Sequence, residues 1–139
     1  MKKTIAILGI IVLLLGVFVG CHGIPESKQL IIVNDTDSAI EYISIRVNPV
    51  DEDARLLAPN ALGDKTIAAG ERMAFQICPY CVEVRIEIEN SASVEATKHF
   101  SFDYLVGGVN QDITVTFSIE ITEGEITLEG SNATETEID

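Results

Sequence analysis

The stretch Ile77-Cys-Pro-Tyr-Cys-Val-Glu-Val-Arg-Ile-Glu-Ile-Glu-Asn90 decides the fold class of this chain. After the second cysteine, Val82, Val84, Ile86 and Ile88 fall on one side, while Glu83, Arg85, Glu87 and Glu89 fall on the other. A period of two with β-branched residues at every second position specifies a half-buried strand. Such a strand needs neighbours along its edges and a second layer over its apolar face. The residues on either side supply both.

Toward the amino terminus, Gln29-Leu-Ile-Ile-Val-Asn34 reads as a strand ended by the turn-forming Asp35-Thr-Asp37. Ala39 to Val47 follows, with Ile43, Ile45 and Val47 in phase, and Asn48-Pro49 stops it. Asp51 to Ala58 carries acids at the favoured end of a single helical turn, and Pro59 closes it. Asp64 to Ala68 reads as a short strand, Ala69-Gly70 as a bend, and Glu71 to Ile77 alternates again. Toward the carboxyl terminus, Asn90-Ser-Ala-Ser93 is a turn, and Val94 to Tyr104 alternates with Phe100, Phe102 and Tyr104 in phase. Ile113 to Ile121 is the next strand, and Glu123-Gly124 predicts a tight hairpin into Glu125 to Glu129. Gly130 to Asp139 is polar and acidic and reads as a disordered tail.

Seven or eight short strands about ten residues apart, with no long segment of period 3.6, predict an all-β protein: an antiparallel β-sandwich. The chain has no Trp, and Cys78 and Cys81 are too close in sequence to link two sheets. The immunoglobulin-like arrangement is thus one option among sandwiches. The chain divides into residues 1–20 as leader, 21–28 as tether, 29–129 as the sandwich domain and 130–139 as the tail.

The leader begins with the basic Met1-Lys2-Lys3, continues as an apolar run from Thr4 to Val19 and ends in Gly20-Cys21. A cationic end, a short apolar stretch and a small residue at the cut make a secretory signal. A run of this length is short for a membrane span, which takes about 20 residues. Phe18-Val19-Gly20-Cys21 resembles the lipobox of bacterial lipoproteins, with Phe18 where that motif usually has Leu. The resemblance implies cleavage before Cys21, lipidation of Cys21 and attachment to the membrane on the extracytoplasmic face. With His22 rather than Asp after the cysteine, it points to the outer membrane if the source has two membranes. The alternative is an uncleaved amino-terminal anchor, which also puts the rest of the chain outside the cytoplasm.

The 139 residues carry nine Lys+Arg against 22 Asp+Glu, a formal charge of −13. Removal of Lys2 and Lys3 with the leader makes the remainder two units more acidic. Carboxylates spread along the whole domain repel phosphates, so nucleic acid is excluded as a partner. The partner left is an unknown protein or small ligand, with no cofactor. Asp51-Glu-Asp53 and Asp35-Thr-Asp37 hold carboxylate oxygens but lack the glycine and distal Glu of a calcium loop. No Gly-x-Ser-x-Gly, phosphate-binding glycine loop or His-Glu-x-x-His occurs, so nothing pairs a nucleophile with a base. No catalytic or metal-binding residue is assigned.

Cys78-Pro-Tyr-Cys81 resembles the redox pair of glutaredoxins, which requires a helix amino terminus behind its first cysteine. The strand pattern from Val82 denies it that helix. Three readings stay open: a disulfide across a Pro79-Tyr80 turn closing a hairpin, two thiolates of a metal site, or a redox dithiol. In an oxidising compartment the disulfide is the default state. From Leu30 to about Ile88 the chain also resembles a loose group of secreted bacterial β-sandwich domains. The residues that carry this are Asn34-Asp-Thr36, Tyr42 to Val47, Asn60-Ala-Leu62 and Ala69-Gly-Glu71, and the resemblance implies a fold and no activity. Two functions follow. The first is a membrane-anchored extracytoplasmic sandwich with a binding or structural role, touching partners through Pro49 to Gly63 or through sheet edges. The alternative is a thiol- or metal-handling protein that uses Cys78 and Cys81.

Overall fold

The computed structural model describes residues 28–49, 55–78, 80–103, 105, 108–109, 111–129 and 133–136. The expected leader, all but the end of the tether, and Asp51-Glu-Asp53 lie outside these residues.

The elements are β1 (Lys28–Asp35), β2 (Ile40–Pro49), β3 (Arg55–Leu56), β4 (Arg72–Ile77), β5 (Cys81–Asn90), β6 (Glu95–Phe102), β7 (Ile113–Glu120), β8 (Glu123–Glu129) and β9 (Ala133–Thr136). They form a sandwich of two sheets, in the orders β4-β1-β7-β8 and β3-β2-β5-β6-β9. All pairings are antiparallel except β1 with β7, which run parallel with Leu30 opposite Ile113. That pair departs from the purely antiparallel expectation, since alternation fixes which residues face inward but not which strand lies alongside.

The alternation of β5 works as expected from Val84 onward, while at its start a register shift against Pro49 accompanies a buried Cys81 and an only half-buried Val82. Val84, Ile86 and Ile88 are buried, and so are Ile43, Ile45 and Val47 opposite them on β2. From the other sheet, Leu30, Ile32, Ile113, Val115, Phe117 and Ile126 complete one continuous core. Each such side chain contributes roughly 1.5–3 kcal/mol of burial against the chain entropy it loses.

The sheets meet closely where β8 crosses β6. A Cβ built on Gly124 would stand 2.5 Å from the Glu95 carbonyl oxygen and 2.9 Å from the Phe117 ring. Only glycine fits there.

Four local expectations change. Asp64 to Ala68 is not a strand but a loop held by one isolated bridge, Ile67 to Ile40. Arg55-Leu56, expected within a helical turn from Asp51 to Ala58, pairs instead with Val47 and Arg46 of β2. Within the segment expected to be a disordered tail, Ala133 to Thr136 forms β9 against Phe102 to His99 of β6. Main-chain bonds to an open edge hold that strand, and hydropathy does not register them. The β7–β8 turn falls at Ile121-Thr122, closed by the Glu120–Glu123 pair, rather than at Glu123-Gly124.

Candidate functional site

The Cys78–Cys81 segment was expected to close a hairpin. It does not. β4 belongs to one sheet and β5 to the other, so the segment is an arch that carries the chain between layers. The Cys81 N–H donates to the Cys78 carbonyl at 3.3 Å, the i to i+3 bond of a tight turn. Cys81 is the first residue of β5, and its carbonyl accepts from Val109 N–H at 3.1 Å. Gly108, at φ +77°, lies so close that a Cβ there would stand 2.3 Å from the Cys81 oxygen. The start of β5 is thereby clamped between the arch and the segment before β7.

Both cysteines are thiols in this structure, Cys78 half-buried and Cys81 fully buried. Burial, reinforced by the Cys78 sulfur nearby, pushes the Cys81 thiol from its ordinary 9.0 up to about 12. A reactive thiol needs the opposite shift and access to solvent. No helix follows Cys81; the residues after it are strand to Asn90. The geometry is therefore that of a turn whose second sulfur is sealed in the core.

Tyr80 and Leu105 project from this same end of the sandwich, 52% and 76% exposed. Lys28, at the start of β1, is here too, since it pairs with Ile77.

The opposite end holds a buried polar lock. Asn34 is fully buried. Its Nδ2 donates to the carbonyls of Ser38 (2.8 Å) and Ile67 (2.9 Å). Its Oδ1 accepts from the Thr36 N–H (3.2 Å) and hydroxyl (2.7 Å). Its backbone N–H donates to Glu71 O and its carbonyl accepts from Gly70 N–H, both at 2.9 Å.

Asn60 does the same for β2. Its Oδ1 accepts from Ile43 N–H at 3.3 Å and Leu62 N–H at 3.1 Å, and its Nδ2 donates to Glu41 O at 3.2 Å. Asn34-Asp-Thr36, Asn60-Ala-Leu62 and Ala69-Gly-Glu71, which carried the sandwich resemblance, thus converge on the loops that join β1, β2 and β4. They build the fold.

The outer face of the five-stranded sheet is polar. Arg46, Arg85 and His99 stand in one cross-strand row. Arg85 pairs with Glu87 at 3.0 Å, and His99 Nε2 lies 3.8 Å from Glu83. His99 therefore takes the polar side of its strand, out of phase with the buried Phe100 and Phe102. Pairs this exposed contribute little stability. Among the described residues no group of three His, Cys, Asp or Glu is arranged to hold a metal ion. No helix of these residues is long and apolar enough to cross a membrane.

One feature was invisible in the sequence. Ile121, at the tip of the β7–β8 hairpin, is 94% exposed and sits at φ +62°. A two-residue turn with positive φ at its first position favours glycine there, and a β-branched residue is strained. The Glu123-Gly124 pair drew the expected turn two residues late, because Gly124 serves the close approach to Glu95 instead.

No protein-family model matches the chain, and no curated protein matches it. Among solved structures it is similar to one described as "NMR structure of the protein from Eubacterium rectale". The match covers 76% of this chain and 90% of that one, with a TM-score of 0.54 and 16% sequence identity. At that identity the likeness bears on the fold alone: the sandwich occurs in another protein.

Proposed function

We propose that this chain is a membrane-anchored extracytoplasmic lipoprotein whose β-sandwich has a binding or structural role. Cys21 carries the lipid, residues 22–27 are the tether, and Cys78 and Cys81 are oxidised to a disulfide. The leader ending in Gly20-Cys21, a few residues before β1 begins at Lys28, is the observation that carries the reading. On this reading the arch end faces the membrane. Exposed Tyr80 and Leu105 at that end then suit a lipid–water interface, where amphipathic and apolar side chains are favoured.

The disulfide is favoured by the turn, whose ends lie within about 7 Å, a range that overlaps the Cα separation a disulfide accepts, about 4.4–6.8 Å. A bond that closes so small a loop contributes only about 2 kcal/mol by chain entropy. Its role is to hold the arch. The burial of Cys81 and its raised pKa oppose the alternative reading as a thiol- or metal-handling protein.

The test is a Cys21→Ser variant expressed from the full chain in cells fed a radiolabelled fatty acid. The wild type is expected to carry the label and to be released from the membrane by detergent but not by high salt, and the variant to carry no label. An unlabelled wild type, or a variant labelled as strongly as the wild type, would overturn the reading.

A further inference from the structure

Among the described residues the sandwich has four terminal strands, and three are guarded against pairing with another chain. β3 is two residues long, β9 is four, and β8 carries Glu123, Glu125 and Glu129. Short strands and charges are the usual protections of an open edge. β4 has neither. Arg72-Met-Ala-Phe-Gln-Ile77 runs six residues without a proline or a register shift, and its one charge is at its start.

Its main-chain groups can be sorted by direction. Asn34 donates to Glu71 O and accepts from Gly70 N–H, so its backbone groups point toward the β4 side. In an antiparallel pair that direction alternates by two residues. Ile32 and Leu30 therefore bond to their partners Met73 and Phe75. The N–H and C=O of Arg72, Ala74 and Gln76 point away from β1, to the open edge. Among the described residues no other strand pairs with them.

The side chains match. Met73 and Phe75 face the core side yet are only half-buried at this rim, while Arg72, Ala74 and Gln76 are exposed. An added strand would satisfy three residues of backbone and extend the apolar layer over Met73 and Phe75.

We propose that β4 is a docking edge that takes an extended strand of a basic partner protein, paired through the main chain of Arg72, Ala74 and Gln76. Apolar residues at alternate positions of that strand would lie beside Met73 and Phe75. A basic strand is the favoured occupant because this chain carries −13, which attracts a cationic segment and repels an acidic strand or a second copy of itself.

The probe is a synthetic peptide of about eight residues alternating lysine and valine, added to the intact chain while amide exchange is followed by NMR. The Ala74 and Gln76 amides are expected to slow roughly tenfold or more, and the Phe75 amide, already bonded to β1, to change little. A glutamate–valine peptide should give no slowing. Ala74→Pro should abolish the effect and still fold, because it removes an outward N–H that β1 does not use. Gln76→Pro is the second variant should the first unfold.

Unchanged Ala74 and Gln76 exchange would overturn the proposal, as would equal slowing by the glutamate peptide or protection that survives both proline variants. Slowing that depends on protein concentration without peptide would also overturn it, in favour of a second copy.

Discussion

Changing Asn34 to Asp alters one atom of the polar lock and reverses its chemistry. The Asn34 Oδ1 acceptor role toward Thr36 survives. The Nδ2 donor does not, and an oxygen then faces the carbonyls of Ser38 and Ile67 across 2.8 and 2.9 Å. Asn34→Ala loses four side-chain bonds, each contributing about 0.5–1.5 kcal/mol net. Ile67 O keeps the Ile40 N–H and Ser38 O keeps the Thr36 hydroxyl, so only the Thr36 N–H is orphaned. We expect a loss of about 3 kcal/mol for the alanine variant. The aspartate variant should lose more at neutral pH, about 4 kcal/mol, because a buried carboxylate meets two carbonyl oxygens. A domain of this size holds about 5–15 kcal/mol in total.

The pH dependence separates this account from simple loss of packing. The introduced carboxyl has its folded pKa raised above the unfolded value near 3.9. Its protonated form can donate one of the lost bonds. As pH falls through the folded pKa, the aspartate variant should therefore regain stability relative to wild type, while the alanine variant runs parallel to it. Urea unfolding of the three proteins at about pH 7 and about pH 4.5 measures this. An alanine loss under about 1 kcal/mol, or an aspartate variant with no recovery in acid, would refute the lock.

Three other outcomes follow from particular residues. Gly124→Ala should cost about 2–3 kcal/mol in urea melts, since its Cβ meets the Glu95 backbone at 2.5 Å; wild-type stability would refute the close sheet contact. Ile121→Gly should stabilise the fold by about 1 kcal/mol, because it removes positive-φ strain at a residue with almost no burial to lose. A loss of stability would show that the Ile121 side chain packs against something. In the reduced protein the unfolded chain releases the Cys81 proton from about pH 9, while the folded chain holds it to about 12. Reduced stability should therefore be flat below pH 9 and fall above it by at most about 1.4 kcal/mol per unit, with no such fall in the oxidised protein. Equal alkaline slopes for the two forms would refute the burial of that sulfur.

The sandwich was legible because β5 and β7 alternate without interruption, and such a pattern has no other use than a strand with one covered face. What failed was connectivity. Period two assigns Ile77 and Val82 to strands, yet it cannot say whether the turn between them folds back or crosses to the other sheet. β9 was missed because Ala133 to Thr136 is held by the main chain of β6 rather than by an apolar stripe. Within the motifs, Asn34 and Asn60 have a local role that composition does not reveal: each replaces missing main-chain partners at a strand end. The open edge at β4 depends on which strand ends a sheet, and no local pattern encodes that.

The most direct test of the account is intact and peptide mass spectrometry of the full chain recovered from its own membrane without reductant. The amino-terminal peptide is expected to begin at an acylated Cys21, and the Cys78–Cys81 peptide to be lighter by the two hydrogens a disulfide loses. An amino terminus at Met1, or an unmodified Cys21 together with freely alkylated Cys78 and Cys81, would contradict it.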